Sequence, residues 1–332
     1  MTLESAPFVP AWWVPGAHLQ TVWGRMTRPR QLVRMRREPI EMPDGDVLVL
    51  DHVDIPDGSG NLRAVLLHGL EGSSYSVYIQ GVLSLLSARG IPATVINFRS
   101  CARDPLRTKI HLPNRRPRFY HSGETTDLDH VIRLLSARHP QSRFVAFGAS
   151  LGGNVLLKWL GENRGQKLVE RAVAVSVPYD LAAGARYLET PMGRFYCEVF
   201  FRSLRPKVER LVREFPDVGA RVDLERIRRA KSFFDFDQWA TAPIHGFAGA
   251  EDYWERSSSI RVLSQIDVPV LCISSADDPF LPPRVIDEVE AVASSTITLI
   301  RTRGGGHVGF VGGRRPWEPA YWAERKAAEY LT

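Results

Sequence analysis

The stretch that most constrains what this chain can become runs from Arg143 to Leu160. An apolar run at strand spacing, Phe144 to Phe147, leads into Gly148-Ala149-Ser150-Leu151-Gly152. Val155, Leu156, Trp159 and Leu160 then recur at helical intervals. Strand, five-residue turn and helix form the context in which Gly-x-Ser-x-Gly reads as a nucleophile elbow. A strand that turns straight into a helix leaves no room for side chains beside the serine, so Gly148 and Gly152 keep the turn tight. Ser150 is expected on a strained, exposed turn above the carboxyl edge of a sheet. The first amides of the following helix face the same way, so negative charge developing near Ser150 is favoured. The bland alternative is a glycine-rich strand–helix connection carrying a surface serine.

The rest of the chain supplies a setting for that elbow. Glu38–Met42 and Val47–Val53 flank Pro43-Asp44-Gly45-Asp46 and read as a β-hairpin. Ala64–Leu67 and Ala93–Phe98 read as buried strands, with a helix over about 78–88 between them. Arg99–Gly123 breaks the rhythm with Pro105, Pro113 and Pro117, six arginines and two histidines, a loop long enough to suggest function. A helix is expected over about 124–138, and strands over Arg171–Val177, Val268–Ile273 and Thr296–Thr302. Alternating strands and helices imply a parallel sheet wrapped by helices. The expected fold class is α/β, with a mostly parallel eight-stranded sheet and an inserted helical cap. Residues 1–179 and 260–332 form the core, 1–35 an irregular segment packed on it, and 180–259 the cap, read from aromatic residues at helical spacing with no evident strand.

Two further residues complete a constellation. His307 follows Gly304-Gly305-Gly306 just past one late strand, and Asp278 lies just past another. A serine hydroxyl is a poor nucleophile at neutral pH and needs a base within hydrogen-bond reach, for which His307 is the candidate. Asp278 would hold the imidazole tautomer and stabilise the imidazolium. Asp277 competes for that role, and either aspartate could merely cap the loop; the Asp-Pro-x-x-Pro step favours Asp278. The backbone N–H of Leu151 and that of Leu70, in His68-Gly69-Leu70-Glu71-Gly72, are the candidate oxyanion donors. The bland reading of the second loop is a tight glycine turn, and His68 is expected to shape that turn rather than to act as a second base. Cys101 on the long loop lacks an elbow and is a weak rival nucleophile.

Composition sets limits. The 332 residues, 44% hydrophobic and 24% charged, are enough for one substantial core with an elaboration. A net charge of +6 comes mainly from arginines interspersed with acids, which reads as solvated surface, and no nucleic-acid motif is present. Attraction to an anionic substrate or a peripheral contact with a membrane stays open. Cys101, Cys197 and Cys272 are too few and too scattered for a disulfide framework or a zinc site, which fits a reducing compartment. The proposed chemistry calls for no metal and no cofactor.

Taken together, the motifs resemble the YheT/EMB8 branch of the α/β-hydrolases, which includes the ABHD1- and ABHD3-type lipid hydrolases. The resemblance spans nearly the whole chain: Pro10–Thr21, His68–Ser74, Asn97–Ala102, Tyr120–Thr125, the elbow, Thr241–Phe247, Ala276–Phe280 and Gly305–Phe310. It implies Ser150, Asp278 and His307 as the triad and carboxylic-ester hydrolysis as the chemistry, on short- or medium-chain acyl esters, with glycerolipids and phospholipids among the family's substrates. Ser100 stands where the family often has glycine. The animal members carry a membrane anchor upstream of the matching part; it is missing here, so a soluble, cytoplasmic protein is expected. Two rivals remain: an acyltransferase or thioesterase on the same triad, and a non-catalytic ligand- or partner-binding protein on a hydrolase scaffold.

Overall fold

The computed structural model describes residues 8–55, 61–104, 106–107 and 110–332; the first residues of the N-terminal segment and Pro105 of the long loop lie outside them. Eight strands form one sheet: β1 (Arg36–Glu41), β2 (Val47–Val53), β3 (Leu62–Leu67), β4 (Ala93–Asn97), β5 (Arg143–Ala149), β6 (Arg171–Val175), β7 (Val270–Ser275) and β8 (Ile297–Thr302). Their order is β1-β2-β4-β3-β5-β6-β7-β8, antiparallel at the β1–β2 and β2–β4 steps and parallel from β4 to β8.

Each central strand feeds two cores. On β5, Phe144 and Ala146 join one hydrophobic cluster, while Val145, Phe147 and Ala149 join the other across the sheet. Period-two side-chain alternation makes this so, and burial on both faces explains why these strands read as unbroken apolar runs. A fully buried side chain such as Phe147 contributes roughly 2–3 kcal/mol. Helices α1 (Gly16–Thr27), α2 (Val77–Ser87), α3 (Thr126–Arg138) and α4 (Leu151–Glu162) belong to this body, with a final helix over Trp322–Leu331. Val155, Leu156 and Trp159 of α4 pack on the face that carries Ala146, Ala172 and Ala174, whose small side chains let the helix lie close to the sheet.

Between β6 and β7 the chain runs through α5 (Leu181–Tyr187), the 24-residue α6 (Pro191–Glu214) and shorter helical pieces as far as Ser257. Thr190 caps α6 by accepting the Gly193 N–H, and Pro191 occupies its first turn, where a missing N–H costs nothing. This segment has a core of its own, built around Phe201, Leu204, Val208 and Phe236. No helix among the described residues is long and apolar enough to cross a membrane.

One expectation is corrected. The N-terminal segment expected to be irregular contains α1 over Gly16–Thr27. Leu19, Val22, Trp23 and Met26 do fall at helical intervals, yet Leu19 and Met26 stay exposed and the one buried residue is Gln20. The Gln20 side chain donates to the Val14 and Val311 carbonyls at 3.1 and 3.0 Å and accepts the Val311 N–H at 2.7 Å. The helical spacing is present in the sequence; where the helix docks is set by this polar side chain, beside the Trp13–Trp23 contact.

Candidate active site

The parallel strands deliver their loops to one edge of the sheet. Ser150 follows β5, Asp278 follows β7, His307 follows β8, and Leu70 follows β3. Ser150 has φ 53° and ψ −125°, a conformation costly for a side-chain-bearing residue and sustained here by its surroundings. The two glycines explain how the turn closes. A Cβ on Gly148 would lie 2.5 Å from the Gly152 carbonyl oxygen, and one on Gly152 would lie 2.5 Å from the His68 carbonyl oxygen. Neither separation is sterically tolerable.

The structure brings three of the expected residues into contact. His307 Nε2 lies 2.9 Å from Ser150 Oγ, and His307 Nδ1 lies 2.8 Å from Asp278 Oδ2. An ionised carboxylate can only accept, so Nδ1 carries the proton and Nε2 is left to accept from the serine hydroxyl. Asp278 is buried, and burial pushes its carboxyl up from the ordinary value against the pull of His307. Its other oxygen accepts the Phe280 N–H at 2.9 Å. Asp277, the rival acid, does not meet the imidazole. It accepts from Ser275 Oγ and, at 2.9 Å, from the Gly306 N–H, bracing the histidine loop against the acid loop.

That histidine loop is pinned amide by amide. Gly306 N–H goes to Asp277, His307 N–H to Thr21 Oγ1 at 2.9 Å, and Val308 N–H to Ser176 Oγ at 3.0 Å. Thr21 and Ser176 are functional neighbours that sequence reasoning missed. Thr21 ends the Pro10–Thr21 motif with nothing local to mark its role, and Ser176 is masked by the apolar run Arg171–Val177.

The peptide that carries one expected oxyanion donor, the Leu70 N–H, is oriented by a second histidine. His68 is fully buried, its Nε2 accepts the Phe98 N–H at 3.1 Å, and its Nδ1 therefore donates to the Gly69 carbonyl at 2.8 Å. Burial lowers the His68 pKa to about 3, so the ring stays neutral and this tautomer persists. In a trans peptide the N–H points opposite to the C=O. Holding the Gly69 carbonyl on the His68 side therefore turns the Leu70 N–H the other way. Leu70, Leu151, Ser150 and His307 all line one cavity of about 1270 Å³. Phe280 stacks at a tilt on His307 with ring centroids 4.4 Å apart, and Phe200 and Phe233 continue the aromatic wall beyond it. Cys101 is buried with its thiol raised to about 12 by burial, which leaves it protonated and a poor nucleophile.

The Tyr120–Thr125 motif meets α4 at Asn154, two residues past the elbow. Its amide donates to the Ser122 and Ser257 carbonyls at 3.0 and 2.8 Å, and its carbonyl accepts the Ser259 N–H at 2.9 Å. One buried side chain thus ties α4 to the long loop and to the end of the helical segment.

Comparison with known proteins agrees with this architecture. The profile of the alpha/beta hydrolase fold matches residues 65–313. The chain is 33% identical over 330 residues to a putative esterase, YheT, of Escherichia coli, covering 99% of this chain and 94% of that one. It is 30% identical to phospholipase ABHD3 of Bos taurus, covering 95% and 75%. It is 29% identical to a monoacylglycerol lipase of Saccharomyces cerevisiae, covering 74% and 54%. An esterase from Pyrococcus furiosus superposes with a TM-score of 0.56 at 15% identity, over 100% of this chain and 97% of that one, a likeness of fold.

Proposed function

The chain belongs to the α/β-hydrolase fold family, in the branch of YheT, EMB8 and ABHD3, and from that premise we propose that it is a serine hydrolase cleaving carboxylic esters. The observation that carries this reading is the continuous relay from Ser150 Oγ through His307, 2.9 Å away, to Asp278, at 2.8 Å. Ser150 attacks the ester carbonyl while His307 Nε2 takes its proton, and Asp278 stabilises the imidazolium. The Leu70 and Leu151 amides hold the tetrahedral oxyanion. His307 returns the proton to the leaving alcohol, and water then repeats the cycle on the acyl-enzyme. None of these steps calls on a metal or a cofactor.

Residues 180–259 act as a cap over the acyl chain. Phe195, Val199, Phe200 and Phe233 line the same cavity as Ser150, an apolar surface suited to a hydrocarbon tail. A cavity of about 1270 Å³ accommodates an amphiphile larger than a simple acetate ester, and short- to medium-chain acyl esters, with glycerolipids and phospholipids among the candidates, are the proposed substrate class. The test is a panel of p-nitrophenyl esters of increasing chain length, with Ser150→Ala as control and a fluorophosphonate probe for labelling. Turnover that peaks at intermediate length and vanishes in Ser150→Ala, while the melting temperature holds, is expected. Retained turnover in that variant, or a wild-type serine that refuses the probe, rejects the proposal.

A further inference from the structure

Glu71 follows Leu70 directly and has φ 55°, a left-handed conformation that a glutamate adopts only under constraint. Its backbone and one carboxylate oxygen, Oε1, are held from three directions. Its N–H donates to Tyr120 Oη at 2.6 Å, and Tyr120 Oη donates back to Glu71 Oε1 at 2.9 Å. Its carbonyl accepts from Arg103 at 3.4 Å. The third hold comes from α6, 136 residues downstream: Lys207 Nζ sits 2.5 Å from Glu71 Oε1, with side-chain exposures of 11% and 7%.

Lys207 is threaded into the core to make this contact. Its ammonium lies 3.6 Å from Cys101 Sγ and 5.5 Å from the Tyr120 ring centroid. Burial alone would push the Glu71 carboxyl up, but the Lys207 ammonium more than offsets this and holds it below its ordinary value. Both ends of the Leu70 segment are then anchored. His68 holds the Gly69 carbonyl before it, and Glu71 is held after it. The first anchor lies within the sheet edge; the second depends on the segment between β6 and β7.

We propose that Lys207 is a positioning residue for the hydrolytic reaction: from the cap helix it fixes Glu71, and so keeps the Leu70 amide aimed at the oxyanion above Ser150 only while α6 is seated. This rests on the hydrolase reading and adds a coupling to it. The cap does more than roof the acyl chain, because its docking completes the oxyanion site. An isolated buried carboxylate is costly. Without the ammonium, Glu71 turns toward water and its left-handed backbone relaxes.

The experiment compares wild type with Lys207→Met and Lys207→Arg as full chains, with two readouts. Hydrogen exchange of the peptide spanning residues 69–74 reports the loop, because the amides of Gly69, Glu71, Gly72, Ser73 and Ser74 are all hydrogen-bonded in it. Ester kinetics report the reaction. Lys207→Met is expected to exchange faster in this peptide and to lose roughly 10- to 100-fold in kcat with KM within about twofold, as for an oxyanion donor displaced but not deleted. Lys207→Arg is expected to restore most of both. If Lys207→Met does not fold, Glu71→Gln keeps the shape and weakens the same contact, and faster exchange is expected there too. Unchanged exchange, or faster exchange with unaltered kcat, overturns the proposal. So does a loss expressed in KM that arginine fails to rescue. A wild type inert toward both esters and fluorophosphonate sinks the hydrolase reading instead, while the exchange comparison still decides whether Lys207 holds the loop.

Discussion

The Thr21 hydroxyl accepts the backbone N–H of His307 at 2.9 Å and donates to the Ala17 carbonyl at 2.8 Å, so a helix near the start of the chain holds the loop that presents the imidazole near its end. The approach is close enough that a Cβ on Gly306 would lie 2.4 Å from the Ala17 carbonyl oxygen. Helix α1 is thereby part of the site's scaffold. On the same helix, His18 Nδ1 meets Tyr196 Oη at 2.9 Å, which joins it to α6 as well.

Replacing Thr21 with valine keeps the shape and removes the acceptor. The His307 N–H is then left without its partner, at a cost of about 1–2 kcal/mol. The expected outcome is a fall of roughly tenfold in kcat with KM little changed, because a loosened imidazole loses alignment with Ser150 while the acyl pocket is untouched. Steady-state kinetics beside thermal melting checks it. A melting temperature that drops with kcat preserved would mean the hydroxyl serves the fold alone.

The two adjacent aspartates should separate cleanly. In Asp278→Asn the carboxamide can donate as well as accept, so it no longer enforces the Nδ1–H tautomer. Turnover is expected to fall by on the order of 10³–10⁴. In Asp277→Asn the oxygen that accepts the Gly306 N–H can be kept, and the loss is expected to stay within about tenfold. The measurement is kcat/KM for both variants under one set of conditions. The reverse order would transfer the acid's role to Asp277.

How much of this was legible beforehand follows from where the information sits. The elbow is local: strand, glycines, serine and helix are contiguous, so Ser150 could be placed from the Arg143–Leu160 stretch. Asp278 and His307 could be placed because each directly follows an apolar strand. The docking of helix α1 could not, since it depends on Gln20 meeting Val311 from the far end of the chain, although Leu19, Val22, Trp23 and Met26 stand at helical spacing. The Tyr120–Thr125 motif was visible as a pattern but silent as to role, because its meaning lies in Asn154, Tyr253 and Ser257, which approach only in the fold. The Lys207–Glu71 pair was opaque for the same reason: a lysine on an amphipathic helix reads as solvated until the structure buries it.

Asp237 offers a test of the segment between β6 and β7 through pH. It is buried and lines the cavity, with Trp254 Nε1 donating to one oxygen at 2.8 Å and Thr241 Oγ1 to the other at 2.7 Å. Burial outweighs both donors and raises its carboxyl from 3.8 to about 6. A folded-state pKa above the unfolded one means that the folded state binds the proton more tightly. Its stabilising share is complete below pH 3.8 and is lost as pH rises through about 6. Asp237→Asn keeps an acceptor for Trp254 and can donate to Thr241, yet has no charge to bury. Relative to wild type, the variant is therefore expected to gain stability as pH climbs from 4 to 8, by up to roughly 3 kcal/mol. Urea unfolding at the two pH values measures this difference directly, and cancels groups such as Glu324 that titrate nearby in both proteins. Parallel pH profiles would mean that the Asp237 carboxyl ionises in the fold as easily as in water, and that the segment is open to solvent at that point.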